Sequence, residues 1–280
     1  ITYIGNYAFL NCTALSSIII PDSVTRLGGQ GADVFSGCTS LTNIVIPSSL
    51  GAIGGGMFNS CTHLASVTIP NGITNIEDYA FSNCSSLTNV EIPDSVISIG
   101  NNAFGGCSSL NSIVIPDNAT NIGIAAFSGC TSLASFAIPD GITSIDSLFS
   151  YCSSLTNVFI PNSITSIGGY AFGGCSSLAS IVIPDTVTNI GDSAFYSSGL
   201  TSVTIPNGIP RIGEFAFAGC TNLVTVSMPN SVASIGVYAF AGCSALTNIN
   251  LSSGLVTIDN SAFENCGNLT SVVIPDGVTS

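Results

Sequence analysis

Phenylalanine recurs along this chain with a period that leaves few ways for it to fold. Phe9, Phe35, Phe58, Phe81, Phe104, Phe127, Phe149, Phe172, Phe195, Phe217, Phe240 and Phe263 are spaced by 26 residues once, by 22 twice and by 23 otherwise. A strict period of this length marks a stacked repeat architecture, in which each unit is one turn that cannot bury its apolar face alone. A representative unit, Leu155 to Ser177, reads LTNVFIPNSITSIGGYAFGGCSS. Nearly every unit keeps its Leu, Val/Ile, Ile-Pro, Val/Ile, Ile and Phe-x-x-Cys positions. Length changes occur near Gln30, Gly31 and Ala32, before Phe149, and between Phe195 and Leu200, always outside the Leu-to-Pro segment. That segment is therefore expected to be the rigid, hydrogen-bonded part of each rung.

Within Leu155 to Pro161, Val158 and Ile160 alternate with polar or variable neighbours, which predicts a strand with one buried face. Pro161 and Asn162 end it, because Pro lacks the N–H that further pairing needs and Asn favours a turn. Ile164, Ile167, Ala171 and Phe172 return to the core, with Gly168 expected as a bend. The Phe-x-x-Cys spacing is too short for a long helix and predicts a single helical or 3₁₀ turn. Successive rungs should pair their strands in parallel at about 4.8 Å. The expected fold is a repeat solenoid, predominantly β, with short turns and a parallel sheet on one face.

Charged residues make up only 6% of the 280, with no Lys, and the two cations Arg26 and Arg211 face 15 carboxylates. A net charge of -13 repels phosphate backbones and anionic headgroups, so neither nucleic acid nor membrane insertion is expected. Polar residues interrupt every apolar run short of the ~18 residues that a membrane span needs, and a soluble chain is expected. The first residue is Ile1 and no basic-then-apolar leader precedes the repeats, so any targeting signal is expected outside this sequence.

The unit resembles the BspA-like (treponemal-type) leucine-rich repeat, Leu-x-x-Ile-x-Ile/Leu-Pro-x-x-Val-x-x-Ile-Gly-x-x-Ala-Phe-x-x-Cys-x-x. Residues 87–109, LTNVEIPDSVISIGNNAFGGCSS, fill every fixed slot. Leu251-Ser252 replaces Ile-Pro, Ser198 stands where Cys is expected, and Leu148 precedes Phe149 in place of Ala. The resemblance implies that residues 1–280 form one leucine-rich-repeat solenoid of about twelve 23-residue repeats. It also implies a secreted or cell-surface protein of bacteria or protists that acts in adhesion, binding a protein or glycan ligand on host matrix or another cell. Ile1-Thr2-Tyr3 and Val278-Thr279-Ser280 occupy equivalent slots in mid-rung. Either the chain is a piece of a longer array, the reading we favour, or its ends associate with other copies.

Little else carries chemistry. The 11 Cys fall once per rung in one phase. That arrangement predicts a column of parallel, buried free thiols; disulfides would need converging Cβ vectors, and zinc a closing tetrahedron. His63, the only His, has no nucleophile tied to it by a recognisable motif. Asp94, Asp117 and Asp140 share a post-proline slot with Asn71 and Asn162, and are expected to form a solvated turn ladder rather than a calcium site. Neither an enzyme nor a metal or cofactor is expected. Asn11, Asn83, Asn118, Asn250 and Asn268 lie in N-x-S/T sequons, which are cheap matches in so Ser/Thr-rich a chain.

The outward strand positions are more informative. One column is monotonous, Ser, Asn or Thr in every rung; the next varies. Ile19, Val45, Glu91, Val114, Phe159, Val182 and Val273 in the variable column are the candidate binding residues. Exposed apolar groups in such a column mark a contact surface, although β-branched residues also simply favour strands. The candidate functions are an adhesion or protein-binding module, a structural filament or spacer, and ice or glycan binding through hydroxyl rows. The last is weakened because the slot after Leu reads Thr42, Ala65, Thr88, Asn111, Ala134, a broken row.

Overall fold

The computed structural model describes residues 1–29 and 32–280. Gln30 and Gly31, two of the three residues marking the insertion, lie outside the described residues. The chain divides into two compact units, Ile1–Ile142 and Thr143–Ser280, each a parallel β-solenoid.

In the first unit, strands Asn43–Val45, Ser66–Thr68, Asn89–Glu91 and Ser112–Val114 form one parallel ladder, with Ile44 opposite Val67 and Val90 opposite Ile113. These are the predicted strands, and their middle residues point inward because the pleat turns alternate side chains to opposite faces. A second ladder joins Ala52–Ile53, Asn75–Ile76, Ser98–Ile99 and Asn121–Ile122. In the second unit the corresponding pairs include Ser202–Thr204 with Thr225–Ser227, and Arg211–Ile212, Ser234–Ile235 and Thr257–Ile258 in a row. The second ladder runs through what the sequence presents only as a return segment.

The Phe slot is the centre of each core. All ten Phe from Phe35 to Phe240 in that slot are fully buried. Neighbouring rings lie nearly parallel, 5.3 Å apart for Phe81 and Phe104, and 5.3 Å apart for Phe217 and Phe240. Offset stacking adds to the area that each ring removes from water.

The Phe-x-x-Cys segment makes the expected single turns, Cys84 N–H to Phe81 O at 3.2 Å for example, but they do not propagate, and no helix occurs among the described residues. Only alternate N–H groups turn back in this way. Those between them, Tyr79, Phe81 and Asn83, donate instead to Asn101, Ala103 and Gly105 of the next rung at 2.9, 2.8 and 2.7 Å. Left-handed residues on either side of the Phe, Tyr79 at φ 58° and Asn83 at φ 59°, swing successive donors in opposite directions. A helix would have aimed them all along its own axis.

Gly168 is not a bend in the left-handed sense. A Cβ there would lie 2.9 Å from Ile145 O, so glycine is required by the close approach of adjacent rungs.

Candidate functional site

Strand parity determines what each rung shows to solvent. Val158 and Ile160 are buried, while Phe159 between them is 61% exposed. The same parity exposes Val45, Glu91 and Val114 in the first unit, whereas Val272, Val273 and Ile274 are exposed together in the last rung; the structure places all seven candidate residues at the surface. Ile19, at 94%, and Val182, at 83%, are the most exposed of the apolar candidates, and both lie outside the ladders. In the first unit, Val45 pairs across to Thr68, and Glu91 to Val114, so these form one row. Glu91 also edges a depression of about 440 Å³ lined by Thr68, Asn71, Pro93 and Asp94.

The thiols hydrogen-bond one rung back. Cys61 Sγ donates to Phe35 O at 3.1 Å, Cys107 to Phe81 O at 3.2 Å, and Cys243 to Phe217 O at 3.2 Å. Burial pushes their pKa up, to about 12 for Cys61 and Cys107, which leaves them protonated and poor nucleophiles at neutral pH. Ser198, in a Cys slot, keeps the column's polarity by meeting Cys220 Sγ at 3.2 Å.

His63 is exposed, with Nδ1 2.6 Å from Thr39 O and 3.4 Å from the hydroxyl of its neighbour Thr62. In the post-proline slot, Asp22 accepts from Ser48 N at 3.3 Å and the Asp94 carbonyl accepts from Asn118 Nδ2 at 3.0 Å, the interactions of a turn ladder. No three His, Cys, Asp or Glu side chains among the described residues are grouped to hold a metal ion.

A second feature was not foreseen. In the first unit a groove of about 680 Å³ is lined by Asp33, Asn59, Asn75, Glu77, Asp78 and Tyr79 among others. Glu77 Oε2 accepts from Gly55 N at 2.9 Å and Asp78 Oδ1 from Asn101 N at 2.7 Å, so both carboxylates cap backbone donors. Burial pushes the Asp33 carboxyl pKa up. Asp78 shares its slot, three residues before the Phe, with Asp146, Asp192 and Glu214, whereas Glu77 stands where most rungs have Gly and Asp33 where others have residues such as Tyr, Ser, Asn or Gly, so the periodic pattern gave no signal for Glu77 or Asp33.

The BspA type Leucine rich repeat region matches in six copies over residues 1–92, 74–201 and 188–280. Among solved structures, a leucine-rich repeat protein from Bacteroides ovatus is similar at 31% identity and TM-score 0.79, over 88% of this chain and 70% of that one. A leucine rich cell surface protein from Faecalibacterium prausnitzii is similar at 33% identity and TM-score 0.63, over 96% and 82%. The pneumococcal vaccine antigen PcpA, at 20% identity and TM-score 0.59 over 85% and 73%, shares the fold. A search of curated proteins gave no match. This chain belongs to the BspA-type leucine-rich repeat family.

Proposed function

We propose that this chain is a non-enzymatic binding module of a cell-surface protein, and that it holds a protein ligand on host matrix or another cell through its outward strand column. The observation that carries this reading is the exposure of Ile19, Val45, Val114, Phe159 and Val182 beside a column of Ser, Asn and Thr. Strand propensity gives these side chains a reason only where a ladder exists. Ile19 and Val182, the most exposed, have no ladder to favour. Large apolar groups in a polar surround are the arrangement in which a few residues dominate affinity. The Faecalibacterium relative's description as a cell surface protein supports the compartment.

The test is a panel of matrix proteins and glycans against the intact chain and Phe159→Ser/Val182→Ser. Both side chains point away from the core, so the double variant should melt within ~1 kcal/mol of the parent, as surface changes usually do. It should weaken the protein ligand at least tenfold, or ~1.4 kcal/mol. Tyr79→Ser, on the turn side of a rung, is the control and should leave that affinity unchanged. Undiminished binding by the double variant of every ligand that the intact chain takes would refute the assignment.

A further inference from the structure

Asparagine is followed by glycine at two places in this chain, Asn71-Gly72 and Asn207-Gly208, each directly after the proline that ends a strand. The local sequence around both is identical, Thr-Ile-Pro-Asn-Gly-Ile, so any difference in their chemistry comes from the fold. An Asn side chain and the backbone nitrogen of the next residue can close a five-membered ring. Glycine, having no Cβ, leaves that nitrogen unhindered.

The two turns are closely matched. Asn71, Gly72, Asn207 and Gly208 are all exposed. Each turn is closed by one backbone bond, Ile73 N–H to Pro70 O at 3.4 Å and Ile209 N–H to Pro206 O at 3.3 Å. A serine of the next rung donates to each, Ser95 Oγ to Ile73 O at 2.7 Å and Ser231 Oγ to Ile209 O at 2.9 Å. They differ at the glycine. Gly72, left-handed at φ 104°, donates its N–H to Ser95 Oγ at 3.1 Å. Gly208 is not left-handed, and its N–H meets no acceptor among the described residues.

We propose that Asn207 is a site of spontaneous deamidation, and that Ser95 shields Asn71 from the same reaction. The Gly208 nitrogen gives its proton to solvent base and attacks Cγ of Asn207. The new N–Cγ bond closes a succinimide as the Cγ–Nδ2 bond breaks, and the side-chain nitrogen takes a proton from water and leaves as ammonia. Water then opens the ring. Cleavage of the new N–Cγ bond gives aspartate, whereas cleavage at the Asn207 carbonyl carbon gives isoaspartate, with the main chain rerouted through Cβ and Cγ. One water enters and one ammonia leaves, with no oxidant or cofactor involved. At Asn71 the attack must first break the Gly72–Ser95 hydrogen bond, which slows it about fivefold for a bond of ordinary net strength.

The fold accepts the aspartate product. Asp94, Asp117 and Asp140 already fill this slot on consecutive rungs, and Asp185 fills it one rung before Asn207. Isoaspartate instead adds a main-chain carbon to the turn that Ile209 N–H closes onto Pro206 O. The reaction therefore adds one negative charge beside Asp185 and leaves this surface turn in two covalent forms.

The test incubates the full folded chain at mildly alkaline pH and follows both sites by peptide mapping with mass spectrometry. An isoaspartate-specific methyltransferase reports the second product. The mass gain from NH2 to OH should accumulate at Asn207 about fivefold faster than at Asn71. In denaturant the two rates should converge, because the local sequences are the same. Ser95→Ala removes the acceptor of the Gly72 N–H and should speed Asn71 toward the rate of Asn207, with Asn207 unchanged. The reaction needs no ligand, so its outcome is independent of the strand-column assignment. The proposal is overturned if Asn207 stays intact in the folded chain while the denatured chain deamidates, if both sites react equally in the folded chain, or if folded Ser95→Ala leaves Asn71 as slow as before.

Discussion

Cys61, Cys107 and Cys220 sit in the core with their thiols on backbone carbonyls, and burial raises their pKa from the ordinary 9.0 to about 12, about 12 and about 11. Because the folded pKa lies above the unfolded one, each thiol's contribution is fully present below about pH 9. It is lost as pH rises toward 11 to 12, since the unfolded chain ionises first. Each such group costs about 1.4 kcal/mol per pH unit in that window. At about pH 10.5 this amounts to roughly 2 kcal/mol for each thiol and roughly 6 for the three together, comparable to the whole stability of many domains. The assay is urea unfolding followed by circular dichroism, under reductant, from about pH 7 to 10.5. The midpoint should hold to about pH 9 and then fall steeply. Cys107→Ala, although less stable at neutral pH, should lose about one proton's worth of that slope. A midpoint that stays flat to about pH 10.5, or thiolate absorbance near pH 9 in the folded protein that persists when the half-buried Cys12 and Cys266 are replaced by Ser, would refute the reasoning.

Phe104→Asp puts an unpaired charge between Phe81 and Phe127, whose rings lie 5.3 and 5.6 Å away, and should cost more than ~3 kcal/mol in thermal unfolding. Gly100→Ala would bring a Cβ to 2.5 Å from Asp78 N and should destabilise by ~1 to 3 kcal/mol, whereas Gly267→Ala, which meets nothing within 4 Å, should melt at or above the parent temperature. Thiol titration of the native protein should find few reactive groups, and denaturation without reductant should release nearly the full complement of 11; a near-zero titre after denaturation would establish disulfides instead.

The buried positions were legible because stacking gives each slot the same neighbours in every rung. Phe81 is packed between Phe58 and Phe104, so the same residue serves again and again, and period alone reveals it. The second ladder was hidden because a strand such as Ser166–Ile167 shows one alternation, too little for a period-2 pattern to stand out. The left-handed turns were hidden for a different reason: Phe and Cys three residues apart fit a helical turn equally well. The distinguishing signal was present one position earlier, where Asn11, Gly37, Asn83, Gly106, Gly129 and Gly174 occupy the slot before Cys. Gly and Asn recurring at one position is what a backbone with positive φ asks for.

The outward residues obey the opposite logic. No rung packs on Phe159 or Val182 from within, so stacking places no constraint on them, and strand parity identifies their direction without identifying a ligand. Constancy along this chain therefore reports the fold, and departure from constancy reports what the fold leaves free. Tyr170 and Phe215 combine both conditions: their backbone slot is dictated by the turn, while their side chains are not, since Ser193 fills the intervening slot with the same left-handed geometry at φ 58°.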